Sequence, residues 1–266
     1  MFCWNILSLN KKYTNSLKNY EYNHTLSTKR ISKIIAIISN VMKENKIICL
    51  YEVDYIYNEL VTISNYYNYT ISEKIYDDRF NTHILVPNNK YKSYKFEYYP
   101  YDMIMDNADY TGIGEKTKDL LFKIKKYIVV AKLDDINVAA THLPCIYQDA
   151  EQISMGLLYL KNVIKIINKY DNIIWSMDGN LLINSELYKT LCLEFISVYK
   201  LIKGNEPMFT CWTDTAFGGK FKDTIDYIWI KKSSNIQIND ITIPYVDSKI
   251  PNKTIPSDHI WFKVEF

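Results

Sequence analysis

Apolar and polar positions fall in blocks along this chain, and the period changes from block to block. Over 27–46, "STKRISKIIAIISNVMKENK", Ile31, Ile34, Ile35, Ile38, Val41 and Met42 recur at the spacing of one helix face, and Ser27 or Thr28 can cap the start. "KIICLYE" follows at once, a short continuous apolar run of the kind that a strand buried on both faces carries. Two apolar runs about Lys-Leu-Asp-Asp in "YIVVAKLDDINVAATHL" (127–143) predict a hairpin. A helical stretch over 149–170, capped by Asp149, leads into the core strand "NIIWSM" (172–177). A shorter helix over 185–195 precedes strands over 224–230, 236–243 and 260–266. Helices interleaved with many strands predict a layered α/β domain.

Composition narrows the classes without choosing one. At 266 residues and 48% hydrophobic the chain can bury a sizeable core, and it has no Pro/Gly/Ser linker, low-complexity tract or internal repeat. A formal charge of +2 is too small to mark a nucleic-acid binder, and the basic stretches "STKRISK" (27–33) and "FKIKKY" (122–127) read as solvated faces. Five cysteines, odd in number and without metal-type spacing, indicate a reduced compartment, hence a cytoplasmic protein. "MFCWNILSLNKKY" lacks the basic start of a secretory signal, and no apolar run approaches the ~20 residues needed to span a bilayer. No membrane partner is expected.

The informative residues are polar ones placed against core strands. Asn5 follows "MFCW", Glu52 ends "IICLYE", His142 ends "INVAATH" and Asp178 ends "IIWSMD". Asp226 lies inside "TIDYIWI", while Asp258 and His259 directly precede the last strand. Carboxylates in such positions are costly unless paired, hydrogen-bonded or bound to metal. Each alone is an ordinary turn former or surface charge, and each histidine alone an ordinary structural residue; His24 and His83 are left as such. Together, with Asn180, they predict converging strand ends that form an oxygen-rich site for a hard divalent cation, with Asn and His beside it to touch a phosphate.

At these residues the chain resembles a known superfamily. "WNIL" (4–7), "YEVD" (51–54), "THLP" (141–144), "MDGN" (177–180), "TIDYIW" (224–229) and "PSDH" (256–259) occur in the order and rough spacing of the endonuclease/exonuclease/phosphatase superfamily, which has the deoxyribonuclease-I-like fold. "WNIL", "EVD", "EPMFTCW" (206–212), "TIDYIW" and "RISKIIAIISNV" are similar to its deadenylase and nocturnin branch. The resemblance implies one catalytic domain over 1–266, a four-layer α/β sandwich of two packed mixed β-sheets with helices outside, and a Mg2+-dependent phosphoesterase in which Mn2+ can substitute.

Carried over motif by motif, the resemblance assigns catalytic positions to His142, Asp178, Asn180, Asp226 and His259, and metal positions to Asn5, Glu52 and Asp258. It implies RNA or an adenine nucleotide as substrate, with poly(A) 3′ ends first. Alternatives are 2′,5′-oligoadenylate, the 2′-phosphate of a dinucleotide, a phosphoinositide, or an inactive relative that binds RNA or protein. An adenine needs an aromatic platform, for which Phe217 and Phe221 are the candidates. The chain starts almost at its first catalytic strand, so a monomeric enzyme without a repeat module for docking to a deadenylase complex is expected. One departure is Gly179 in "MDGN", where the superfamily carries an aromatic; residue 179 is expected to face the core between the sheets, with Trp175 filling the space. Segment 88–126 matches the superfamily poorly.

Overall fold

The continuous apolar runs and the amphipathic stretches separate into strands and helices in different layers. A computed structural model describes residues 1–7, 28–76, 81–106, 108–122, 125–144, 150–213, 221–252 and 254–266. In chain order the elements are β1 (Phe2–Asn5), α1 (Thr28–Lys43), β2 (Ile48–Tyr51), α2 (Tyr57–Tyr66), β3 (Tyr69–Ile71), β4 (His83–Pro87) and β5 (Tyr94–Pro100). Then come α3 (Tyr101–Met105), α4 (Glu115–Phe122), β6 (Tyr127–Leu133), β7 (Asn137–His142), α5 (Ala150–Ile167), β8 (Ile173–Asp178) and α6 (Glu186–Glu194). The last are β9 (Phe195–Ser197), α7 (Val198–Lys203), β10 (Cys211–Thr213), β11 (Phe221–Asp223), β12 (Asp226–Lys231), β13 (Asp240–Thr242) and β14 (Phe262–Glu265).

Two six-stranded sheets run β13-β14-β1-β2-β4-β3 and β5-β6-β7-β8-β12-β9, and β10-β11 form a separate hairpin. Both sheets are mixed, because β1–β2 and β7–β8 pair in parallel while the other pairs are antiparallel. Alternation along each strand sends one set of side chains between the sheets, including Cys3, Tyr51, Val129, Ala140, Ile174 and Ile228. The opposite set packs under helices. Phe2, Trp4, Ile48 and Leu50 meet Ile34, Ile38 and Met42 of α1, and Ile173, Trp175 and Met177 join a core with Tyr159, Leu160 and Val163 of α5. The expected sandwich with helices outside is therefore what forms. Among the described residues no helix is long and apolar enough to cross a membrane.

Two expectations are corrected. The strand predicted over 236–243 shrinks to Asp240–Thr242, an edge strand that pairs on one side only, with β14 from Asp240↔Glu265 to Thr242↔Lys263. The basic stretches are not wholly solvated, since Arg30 is 1% and Lys126 7% exposed. Both are held by carbonyls, Arg30 donating to Ile6, Leu7 and Pro256 and Lys126 to Leu143. His83, read as structural, is buried in β4 with its Nδ1 against Ser72. His24 lies outside the described residues.

Candidate active site

Three neighbouring strands of one sheet place three polar side chains in a row. The registers set His142 of β7 beside Asp178 of β8, and Asp178 beside Asp226 of β12. All three share the inward parity of Ala140, Ile174 and Ile228, so they stand where the apolar core between the sheets gives out. His142 Nε2 lies 3.5 Å from Asp178 Oδ2. Thr210 fixes the start of β12, its Oγ1 accepting from the Ile225 and Asp226 amides at 2.9 Å each.

The facing sheet supplies the rest. Asn5 ends β1 on the same inward face as Cys3, and its Nδ2 donates to Asp178 Oδ2 at 2.7 Å and to Glu52 Oε1 at 3.1 Å, thereby crossing from one sheet to the other. Glu52 follows Tyr51, whose side chain points inward, so alternation alone would turn Glu52 outward. Its φ of 59° breaks the alternation; this left-handed conformation is uncommon for a residue with a side chain and recurs at functional sites. The loop before β14 is tied to β1, since Ser257 Oγ donates to Asn5 O at 2.7 Å and accepts from the His259 amide at 3.1 Å, while Trp4 Nε1 donates to His259 O at 2.9 Å. His259 Nδ1 is thereby brought within 2.8 Å of Asp226 Oδ2. The strand ends that the sequence predicts to converge do converge.

Burial and like charge set the protonation pattern. Burial, then Asp226, pushes Asp178 up to about 7, against the opposing pull of His259 and the Asn5 amide. Burial holds His142 well below its usual range, helped by the charges of Lys126 and His259. Burial would lower His259 too, but Asp226 and Cys211 outweigh it and raise the imidazole well above its ordinary value. Burial also raises Asp258, opposed by His259 and Arg30. The two histidines are thus driven apart, one neutral and one cationic.

Among the described residues, three groups each offer donor atoms within 4.8 Å of one another: Glu52, His142 and Asp178; Asp178, Asp226 and His259; and Cys211, Asp258 and His259. The first suits a hard cation through its carboxylate oxygens, with the Asn5 amide beside it.

Asn180 and Gly179 follow the acid. Asn180 has a φ of 46°; its amide N donates to Asp178 Oδ1 at 3.2 Å and its Nδ2 to Leu143 O at 2.9 Å. The expectation for Gly179 is corrected in its details. Trp175 and Met177, on the same face of β8, lie in the core beneath α5 rather than between the sheets. A Cβ on Gly179 would stand 3.0 Å from Met177 Sδ, 3.1 Å from Leu181 Cγ and 3.2 Å from Ile225 O, so Met177 and Leu181, not Trp175, occupy the space. Trp175 instead donates to Thr141 Oγ1 at 2.9 Å. Gly179→Phe should accordingly lower the melting temperature, by the ~1–3 kcal/mol or more of an overpacked core, because Ile225 O is backbone and cannot swing aside. A thermal melt of the variant that matches or exceeds the parent would mean the site has room.

Of the two aromatic candidates, Phe217 lies outside the described residues. Phe221 is half-buried and pairs with Thr213 across the β10-β11 hairpin, on the face that Cys211 and Asp223 share. Three contributors escaped the sequence reading. Arg30 bonds Ile6 and Leu7 after β1 and Pro256 before the 257–259 loop, joining the two segments that carry Asn5 and His259. Its signal was available: Arg30, Ile34 and Ile38 are four residues apart, so a charge occupies the apolar stripe of α1. Lys126 Nζ shares Leu143 O with Asn180, at 3.1 Å and 2.9 Å. Cys211, whose backbone bridges to His259, had no signal, because its partners lie 47 and 48 residues downstream (258 − 211 and 259 − 211).

No protein-family model matches the chain, and no curated protein matches it. Solved structures do match along its whole length. The human Nocturnin catalytic domain with bound sulfate superposes with a TM-score of 0.63 at 17% identity, covering 100% of this chain and 93% of that one. ANGEL2, a 2′,3′-cyclic phosphatase, in complex with adenosine-2′,3′-vanadate gives 0.67 at 15% identity, covering 100% and 95%. D. rerio TDP2 complexed with a single-strand DNA product gives 0.65 at 14% identity, covering 99% and 96%. These are proteins of the endonuclease/exonuclease/phosphatase superfamily, and the likeness establishes that fold for this chain.

Proposed function

We propose that this chain is a divalent-metal-dependent phosphoesterase acting on adenosine-containing RNA or nucleotides, with poly(A) 3′ ends as the first substrate to try. The observation that carries the reading is the row of His142, Asp178 and Asp226 across three strands, closed from the facing sheet by Asn5, Glu52 and His259. An apolar core between two sheets gains nothing from so many buried polar groups at one end; their mutual hydrogen bonds offset part of the cost, and the clustering of carboxylates with perturbed protonation supports a site for a charged ligand.

Glu52 and Asn5 would hold Mg2+, or Mn2+ in its place, and Asp258 is the further carboxylate for a second cation. When bound, the ion shields phosphate charge and stabilises the leaving oxygen. The chain's own groups do the rest. Asp178, poised near neutrality, takes a proton from an attacking water or orients it, and Asn180 steadies that water or a phosphate oxygen. His259, kept cationic and oriented by Asp226, donates to the phosphate as charge develops there. Neutral His142 donates from the other side. Phe221 is the candidate base platform on the hairpin face toward His259.

Adenosine is favoured by the branch that the motifs resemble and by the adenosine-2′,3′-vanadate bound in ANGEL2. Incubation with poly(A), 2′,5′-oligoadenylate, adenosine 2′,3′-cyclic phosphate, a 2′-phosphorylated dinucleotide and an inositol phosphate, each with Mg2+ or chelator, tests it. Hydrolysis confined to one or more adenosine substrates is expected. Hydrolysis of the inositol phosphate alone would move the substrate class, and none in any arm would favour a binding protein on an inactive scaffold.

A further inference from the structure

Cys211 is the one side chain in this cluster that a phosphoesterase does not call for. It opens β10, and its backbone bridges that of His259, while Trp212 N donates to Asp258 O at 2.9 Å and Ile260 N to Thr210 O at 2.8 Å. The two segments are therefore stitched together on both sides of the cysteine. Its thiol, the Asp258 carboxylate and the His259 imidazole offer donor atoms within 4.8 Å of one another, all three residues buried. Asp258 Oδ1, in a residue 7% exposed, has no hydrogen-bond partner among the described residues and lies 3.9 Å from His259 Nε2.

We infer that Cys211, Asp258 and His259 form a site for a thiophilic divalent cation, Zn2+ in its chemistry, and that a cation held there withdraws His259 from phosphate. The regulatory half rests on the phosphoesterase reading above; the binding half does not. The donor set decides the metal class: sulfur, imidazole nitrogen and one carboxylate oxygen are the ligands of Zn2+, whereas Mg2+ takes oxygen and keeps several waters. His259 is also prepared as a metal ligand should be. Its Nδ1 faces Asp226 Oδ2 at 2.8 Å, the carboxylate-backed arrangement that orients a ligating imidazole and leaves Nε2 to the metal. Charge balances as well, because one thiolate and one carboxylate neutralise a divalent ion in a buried place. As the sulfur–metal bond forms, the Cys211 thiol proton leaves to solvent, and cationic His259 gives up its Nε2 proton in the same way. Bound to metal, Nε2 no longer has a hydrogen to donate.

Co2+ is the probe, since it accepts zinc's ligands and reports a thiolate by charge-transfer absorption. Titrated into the full chain under excess Mg2+, it should give such a band at one equivalent, which Zn2+ displaces and further Mg2+ does not. Cys211→Ser should lose the band, and His259→Ala, which keeps every thiol, should bind Co2+ more weakly by at least the about 10–100-fold that removal of an outer-shell partner alone costs. The two variants guard against one failing to fold. Zn2+ should inhibit Mg2+-supported turnover of the parent and need a concentration higher by at least about 10–100-fold, the cost of losing even an outer-shell partner, to inhibit Cys211→Ser. No band in the parent, or an equal band in Cys211→Ser, overturns the site. A band without Zn2+ inhibition overturns the regulatory half. Absence of turnover with every substrate sinks the phosphoesterase reading and leaves the spectroscopic result standing.

Discussion

Glu52→Gln should abolish Mg2+-supported hydrolysis while the protein remains folded. Gln keeps the volume and one oxygen but removes the charge that a hard cation requires. The metal's electrostatic contribution is several kcal/mol, which at ~1.4 kcal/mol per decade is on the order of three powers of ten in rate. Folding should survive because Glu52 is only partly buried and the Asn5 amide can still donate to a Gln oxygen. Mg2+ binding supplies a readout apart from turnover, through the melting temperature. Burial and Asp226 raise Asp178 from 3.8 to about 7. Between those values the unfolded chain has released a proton that native Asp178 keeps, so the metal-free fold loses stability as pH rises through that window. A bound cation relieves the carboxylate repulsion and removes that loss. Mg2+ should therefore raise the melting temperature more at pH 8 than at pH 5, and Glu52→Gln should show little rise at either. Full turnover of Glu52→Gln, or full turnover of the parent in chelator, would take the metal away from this residue.

The second large effect concerns the imidazole at the opposite edge. His259→Ala should lower kcat by the ~3–4 kcal/mol of a lost phosphate donor, roughly two to three orders of magnitude, and Asp226→Asn by less. The order follows from the geometry. Asp226 Oδ2 sits 2.8 Å from His259 Nδ1 and is the chief reason the imidazole is cationic; an Asn there leaves a ring that is neutral or turned, yet present. Alanine leaves nothing to donate. Measured kcat values on one substrate decide between them. The reverse order would mean that Asp226 does more than hold its partner and contacts the metal itself.

Much of this protein is legible before any coordinates. The stripe from Ile31 to Met42 is α1, the two runs about Lys-Leu-Asp-Asp are β6 and β7, and "NIIWSM" is the body of β8, because a 3.6-residue or continuous apolar pattern is a local consequence of which face is buried. Polar residues at core-strand ends were legible for the same reason: a carboxylate interrupts an apolar run only where the run meets something other than core. Ordered motifs then carried the fold.

What the sequence could not decide is which groups meet. His142, Asp178 and Asp226 are adjacent only because β8 pairs with β7 on one side and β12 on the other, a matter of register between segments dozens of residues apart. The direction of Glu52 depends on a left-handed backbone after β2, which no side-chain pattern records. Whether Arg30 and Lys126 face water or carbonyls, whether Gly179 is closed off by Met177 or by Trp175, and whether Cys211 stands against His259 are contact questions of the same kind. Local periodicity determines what each segment buries, while long-range packing determines its partner, and the chemistry here lies in the partners.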